Sequence, residues 1–98
     1  MSSGPSGSGV SGVSTLDGSA TWNPGSIADG NEEVQEITIT GVALGDFVLA
    51  SFSLDIVDLA ITGAVTAADT VTIQLNNNTG GSLDLSSGTV YARVFKRA

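Results

Sequence analysis

Thr70-Val71-Thr72-Ile73-Gln74-Leu75 alternates without a break, with an aliphatic side chain at each odd position and a polar one at each even position. A period of two sends successive side chains to opposite faces of an extended chain, so this stretch predicts a strand with one dry and one wet face. Working outward, the same pattern recurs. Upstream, Val34-Gln35-Glu36-Ile37-Thr38-Ile39-Thr40 sets Ile37 and Ile39 against Glu36, Thr38 and Thr40, and Val57, Leu59, Ile61, Gly63 and Val65 alternate with Asp58, Ala60, Thr62 and Ala64. Downstream, past Leu83 and Leu85, Val90, Ala92 and Val94 face away from Tyr91, Arg93 and Phe95. Residues 47–54 (FVLASFSL) alternate too, but both faces are largely apolar, which predicts a strand covered on both sides with Phe47 and Phe52 in the core. Ala20-Thr21-Trp22 reads as a short edge strand stopped by Pro24.

Between these runs lie turn-forming residues: Asn23-Pro24-Gly25, Asp29-Gly30-Asn31, Gly45-Asp46, Ala67-Ala68-Asp69, residues 76–81 and Ser86-Ser87-Gly88. Short strands with polar turns between them predict antiparallel sheets. No window carries the i, i+3, i+4, i+7 spacing of a capped amphipathic helix. The expected fold is all-β: a small antiparallel β-sandwich or jelly-roll-like body over residues 20–98. Residues 1–19 form a Gly/Ser-rich N-terminal arm, with seven Ser and five Gly in nineteen positions. Such a composition cannot bury enough apolar surface to offset its ordering entropy, so a flexible tether is expected. Within it Val10, Val13 and Leu16 recur every third residue, three apolar teeth suited to lying against a partner.

Ninety-eight residues make one domain. A chain of this size usually needs a disulfide, a metal or a second copy to complete its stability. It has no Cys and no His, which leaves oligomerisation. No apolar run approaches the length that spans a bilayer and no basic segment leads into an apolar one, so a soluble, unprocessed chain with no membrane partner is expected. The net charge of −7 argues against nucleic acid, whose phosphates demand clustered Lys and Arg. The three cations, Arg93, Lys96 and Arg97, all fall in the last six residues. An acidic body with a basic end suggests docking onto an acidic partner, against the plainer reading of a solvated strand end.

Catalysis is not expected. Without His no Ser has an activating base, there is no Cys nucleophile, and no Lys follows a Gly as a phosphate loop requires. Asp29-Gly30-Asn31-Glu32-Glu33 offers hard oxygen ligands but reads first as a turn, and no cofactor or metal is expected. Consecutive Asn and Gly over residues 76–81 predict a hairpin tip. Trp22, at the junction of arm and body, is read as a plug of the core or of a subunit interface. Tyr91 and Phe95 share a strand face with Arg93, a combination favoured at interfaces.

Two stretches carry a resemblance to known proteins: residues 21–55, with Trp22-Asn23-Pro24 and Leu44-Gly45-Asp46-Phe47, and residues 77–93, with Asn77-Asn78-Thr79-Gly80-Gly81. Together they resemble a small family of tailed-phage virion proteins of the capsid cement or decoration type, including head-fibre and tail-fibre components. The resemblance covers nearly the whole body and none of the arm, and it brings no catalytic residues. It implies a homotrimer bound at local threefold positions of a capsid, hence a protein made in the host cytoplasm, located on the virion and partnered by the major capsid protein. On that reading Val10, Val13, Leu16, Arg93, Lys96 and Arg97 bind the shell, while Trp22, Tyr91 and Phe95 lie between subunits. The alternative is a fibre-type module that recognises a host surface receptor or glycan through its loop tips.

Overall fold

In the computed structural model, which describes residues 14–97, the chain folds as strands and turns with no helix, and every strand pairing is antiparallel. The strands are β1 (Thr15–Trp22), β2 (Gly25–Ile27), β3 (Glu32–Thr38), β4 (Phe47–Phe52), β5 (Ala60–Ala67), β6 (Thr70–Asn76), β7 (Leu83–Leu85) and β8 (Gly88–Phe95). They form a three-stranded sheet β1-β8-β4, a second three-stranded sheet β3-β6-β5 and a two-stranded ribbon β2-β7. The pairings β1–β8, β2–β7 and β3–β6 nest one inside the next, as in a rolled-up hairpin, and β4 and β5 then occupy the free edges of β8 and β6. β5–β6 is the one hairpin among these pairs closed by a tight turn, with Asp69 in the left-handed region at φ 62°.

The two three-stranded sheets lie face to face, β1 over β3 and β4 over β5. Their central strands supply the driest residues: Val71, Ile73 and Leu75 of β6 and Val90, Ala92 and Val94 of β8 are all buried. Large side chains of one sheet sit where the other is small. A Cβ on Gly18 of β1 would lie 2.5 Å from Cγ1 of Ile39, and one on Gly63 of β5 would lie 2.8 Å from Cγ1 of Val48. That interdigitation lets the two inner faces approach closely.

The alternation read from the sequence holds for Ile37, Ile39, Val71, Ile73, Leu75, Val90, Ala92 and Val94, all buried. Four expectations are corrected. First, the body begins before Ala20: β1 starts at Thr15 and pairs with β8 over its full length, and Leu16 packs on the chain's own core. The unpaired edge of β8 needs hydrogen-bond partners, and even a polar stretch such as Thr-Leu-Asp-Gly-Ser supplies them. Second, β4 is covered on one side in the single chain. Val48, Ala50 and Phe52 turn inward, whereas Phe47 is 61% exposed, outside the core in which it was expected. Third, β5 starts at Ala60, so Val57 falls in a loop at φ 57° while Leu59 alone of that pair is buried. Fourth, residues 76–81 are no open hairpin tip, because Asn77 is completely buried.

Candidate interaction surfaces

The outward face of the β1-β8-β4 sheet is built in rows by its register. Thr15, Phe95 and Phe47 form one row, Asp17, Arg93 and Leu49 the next, and Ser19, Tyr91 and Ser51 the third. Because the inward parity of β4 and β8 is taken by Val48, Ala50, Val90, Ala92 and Val94, the opposite parity must point to solvent. It carries Leu49, 62% exposed, and Tyr91, 47% exposed, beside Phe47. A shallow trough of about 500 Å³ crosses the three strands, lined by Asp17, Leu49, Ser51, Tyr91 and Arg93 with the backbone of Gly18, Ala50 and Ala92 as its floor. Asp17 and Arg93 form a two-point ion pair here, Nε to Oδ1 at 2.6 Å and the second guanidinium nitrogen to Oδ2 at 3.3 Å. The hydrogen bond to the Asp17 carboxylate pushes the Arg93 guanidinium above its ordinary value.

At the end where this face begins, the C-terminal segment is tied to the loop that joins β3 to β4. Asp46 is the knot. Its Oδ2 accepts from the Lys96 ammonium at 2.6 Å and from the amide of Ala43 at 3.0 Å, and its Oδ1 accepts from the amide of Arg97 at 3.0 Å. The hydrogen bond from Lys96, followed by that from the Arg97 amide, lowers the Asp46 carboxyl to about 2. Lys96 also donates to the carbonyl of Gly41 at 2.9 Å. Asp69 holds the same loop from the far side, accepting from the Gly41 amide at 2.8 Å through Oδ1. Ser14 lies at this end too, its carbonyl accepting from the Lys96 amide.

The opposite end is closed around Asn77. Its side-chain amide donates to the carbonyls of Ile27 at 2.7 Å and Gly81 at 2.8 Å, and its carbonyl oxygen accepts from the amide and hydroxyl of Thr79. Its main chain bonds to Gly30 and Asn31, so one residue clamps the turn after β2 to the loop after β6.

The expected site residues therefore separate. Tyr91 and Phe95 lie on the outward face, Tyr91 exposed and Phe95 half-buried, in neighbouring rows with Arg93. Trp22 takes the core alternative, and its placement between subunits is corrected: it is 4% exposed inside this chain's own core, with Phe52 edge-on at 6.0 Å between ring centroids, so it has no surface to offer a subunit. Leu16 is likewise turned inward. Arg93 and Lys96 are neutralised internally, and Arg97 is exposed. Val10 and Val13 lie outside the described residues. The sequence reading missed Leu44 and Leu49 as surface groups; for Leu49 the apolar character of both faces of residues 47–54 was the available signal, and Leu44, in the loop before β4, had none. Among the described residues no group of three or more His, Cys, Asp or Glu is placed to hold a metal ion, and no helix is long and apolar enough to cross a membrane. No family model matches the chain, and no curated protein matches it.

Proposed function

We propose that this chain is a virion structural protein that cements or decorates a phage capsid, assembling as a trimer and acting by contact alone. The resemblance over residues 21–55 and 77–93 motivates the reading. The observation that supports it best is the outward face of β1-β8-β4, where Phe47, Leu49 and Tyr91 stay exposed on a sheet whose inward face is already filled. Isolated exposed apolar residues are ordinary, but three in adjoining rows of one sheet mark a contact surface. Covering them with a neighbouring subunit would supply the burial that a body of this size lacks. The shell contact would then draw on Arg97 and on Val10 and Val13, since Arg93 and Lys96 already have carboxylate partners.

Copy number per particle tests the reading: hundreds of copies are expected of a cement protein, and a few to dozens would point to a fibre. Light scattering should give a trimer at micromolar concentration, and Leu49→Ser with Tyr91→Ser should yield a folded monomer with unchanged β content. A wild-type chain that is monomeric there, or a double variant that stays trimeric, refutes the assignment of this face.

A further inference from the structure

Charge is segregated along the sandwich axis more sharply than along the sequence. Asp29, Glu32, Glu33 and Asp84 surround the Asn77 end, joined by Asp55 and Asp58 in the loop from β4 to β5, and none of the three cations lies there. The remaining four acids share the other half of the sandwich with Arg93, Lys96 and Arg97. Three of those acids are tied up there, Asp17 by Arg93, Asp46 by Lys96 and Asp69 by the Gly41 amide. An eight-residue strand spans about 24–27 Å at ~3.3 Å per residue. The six distant acids thus lie about three Debye lengths away at physiological salt, where the Debye length is ~8 Å. One end of the molecule meets an acidic surface without facing concentrated like charge, and the other does not.

That same end carries the most exposed large apolar side chain of the body, Leu44 at 69%, with Phe47 close by on the first row of β4. The Arg97 side chain passes over Gly45, so close that a Cβ there would lie 3.2 Å from its Nε. The thirteen residues preceding Ser14 also join the body here, beside Lys96. From these observations we propose that the end formed by residues 41–47 and 95–97 is the docking end. The partner it fits is a protein surface apolar at its centre and acidic at its rim; on the capsid reading, which this inference presupposes, that surface is the shell, and the Asn77 end points outward.

Side-chain oxidation by hydroxyl radicals tests the orientation, with capsid heads lacking the protein as the probe. On heads, oxidation of Leu44 should fall at least fivefold, while Leu54 and Val57 at the opposite end change less than twofold. Arg97→Glu should weaken binding at least tenfold at low salt. Glu32→Gln, Glu33→Gln and Asp84→Asn combined should change it less than twofold. Arg97, Glu32, Glu33 and Asp84 are all exposed, so circular dichroism should show both variants folded. Binding with equal or reversed protection of the two ends overturns the docking end while leaving the capsid reading intact. Protection of Leu44 in the free protein that grows with concentration makes the occupant a second copy, which also overturns it. No binding to heads at all overturns the capsid reading and this inference together.

Discussion

Replacing Asn77 by Ala removes four side-chain hydrogen bonds from a fully buried position. Their loss is uneven. The carbonyl of Gly81 and the amide and hydroxyl of Thr79 lie in exposed positions and can turn to water, so each costs only a fraction of a hydrogen bond's net ~1 kcal/mol. The carbonyl of Ile27 is in a residue 1% exposed, and leaving it unpaired costs about 1–3 kcal/mol. The sum is about 2–4 kcal/mol. A body of this size has a total stability of about 4–13 kcal/mol at ~0.05–0.15 kcal/mol per residue. The variant should therefore melt about 8–32 °C lower, at ~4–8 °C per kcal/mol for a domain of this length. Urea unfolding followed by Trp22 fluorescence, at fixed protein concentration, measures it directly, because Trp22 leaves a nearly dry site on unfolding. Amide exchange at Gly30, whose N–H is held by the Asn77 carbonyl, should accelerate in the same variant. Asn77→Asp keeps the acceptor for Thr79 but aims a carboxylate at two carbonyls. It should be destabilised at pH 7 and recover partly as acid protonates it. A loss below ~0.5 kcal/mol for the Ala variant would mean that water takes over the clamp, and the reasoning would fail.

Three further outcomes follow from other parts of the structure. Val57 is β-branched, 55% exposed and in the left-handed region, so Val57→Asn should raise stability by about 1 kcal/mol; a lower urea midpoint would contradict this. Gly18→Ala puts a Cβ against Ile39 and Ile37 between the sheets and should cost about 1–3 kcal/mol, read from thermal unfolding; a neutral result would show that the isoleucines give way freely. Asp46 ionises at about 2 in the folded chain against 3.8 ordinarily, so its contribution to stability is complete above pH 3.8 and is lost as pH falls through 2. Asp46→Asn should flatten the stability–pH curve in that window, and an unchanged curve would remove the Lys96 contact from the explanation.

Strand identity and facing were legible in the sequence because they are local properties. Val71, Ile73 and Leu75, or Val90, Ala92 and Val94, declare their dry face through a period of two that needs no knowledge of the partner strand. Both tight-turn residues of the β5–β6 hairpin were likewise visible, since turn chemistry resides in adjacent residues. The closed character of the composition, with no His and no Cys, was legible in the same way.

Everything that depends on distant pairing was decided by the tertiary structure. β1 extends to Thr15 because β8, some eighty residues on, presents a free edge; nothing in Thr-Leu-Asp-Gly-Ser favours a strand by itself. Phe47 and Phe52 are the same residue type in one strand of apolar parity on both sides, and only the position of the β3-β6-β5 sheet determines that Phe52 is covered and Phe47 is not. Arg93 and Lys96 read as a free basic end until the fold places Asp17 and Asp46, 76 and 50 residues away, within 2.6 Å of them. Asn77 sits in a run of three asparagines that are equivalent in sequence. The nested pairing carries it inside, where a side chain with two donors and one acceptor oxygen meets the buried carbonyl of Ile27, a demand that arises only once β2 and β6 are brought together.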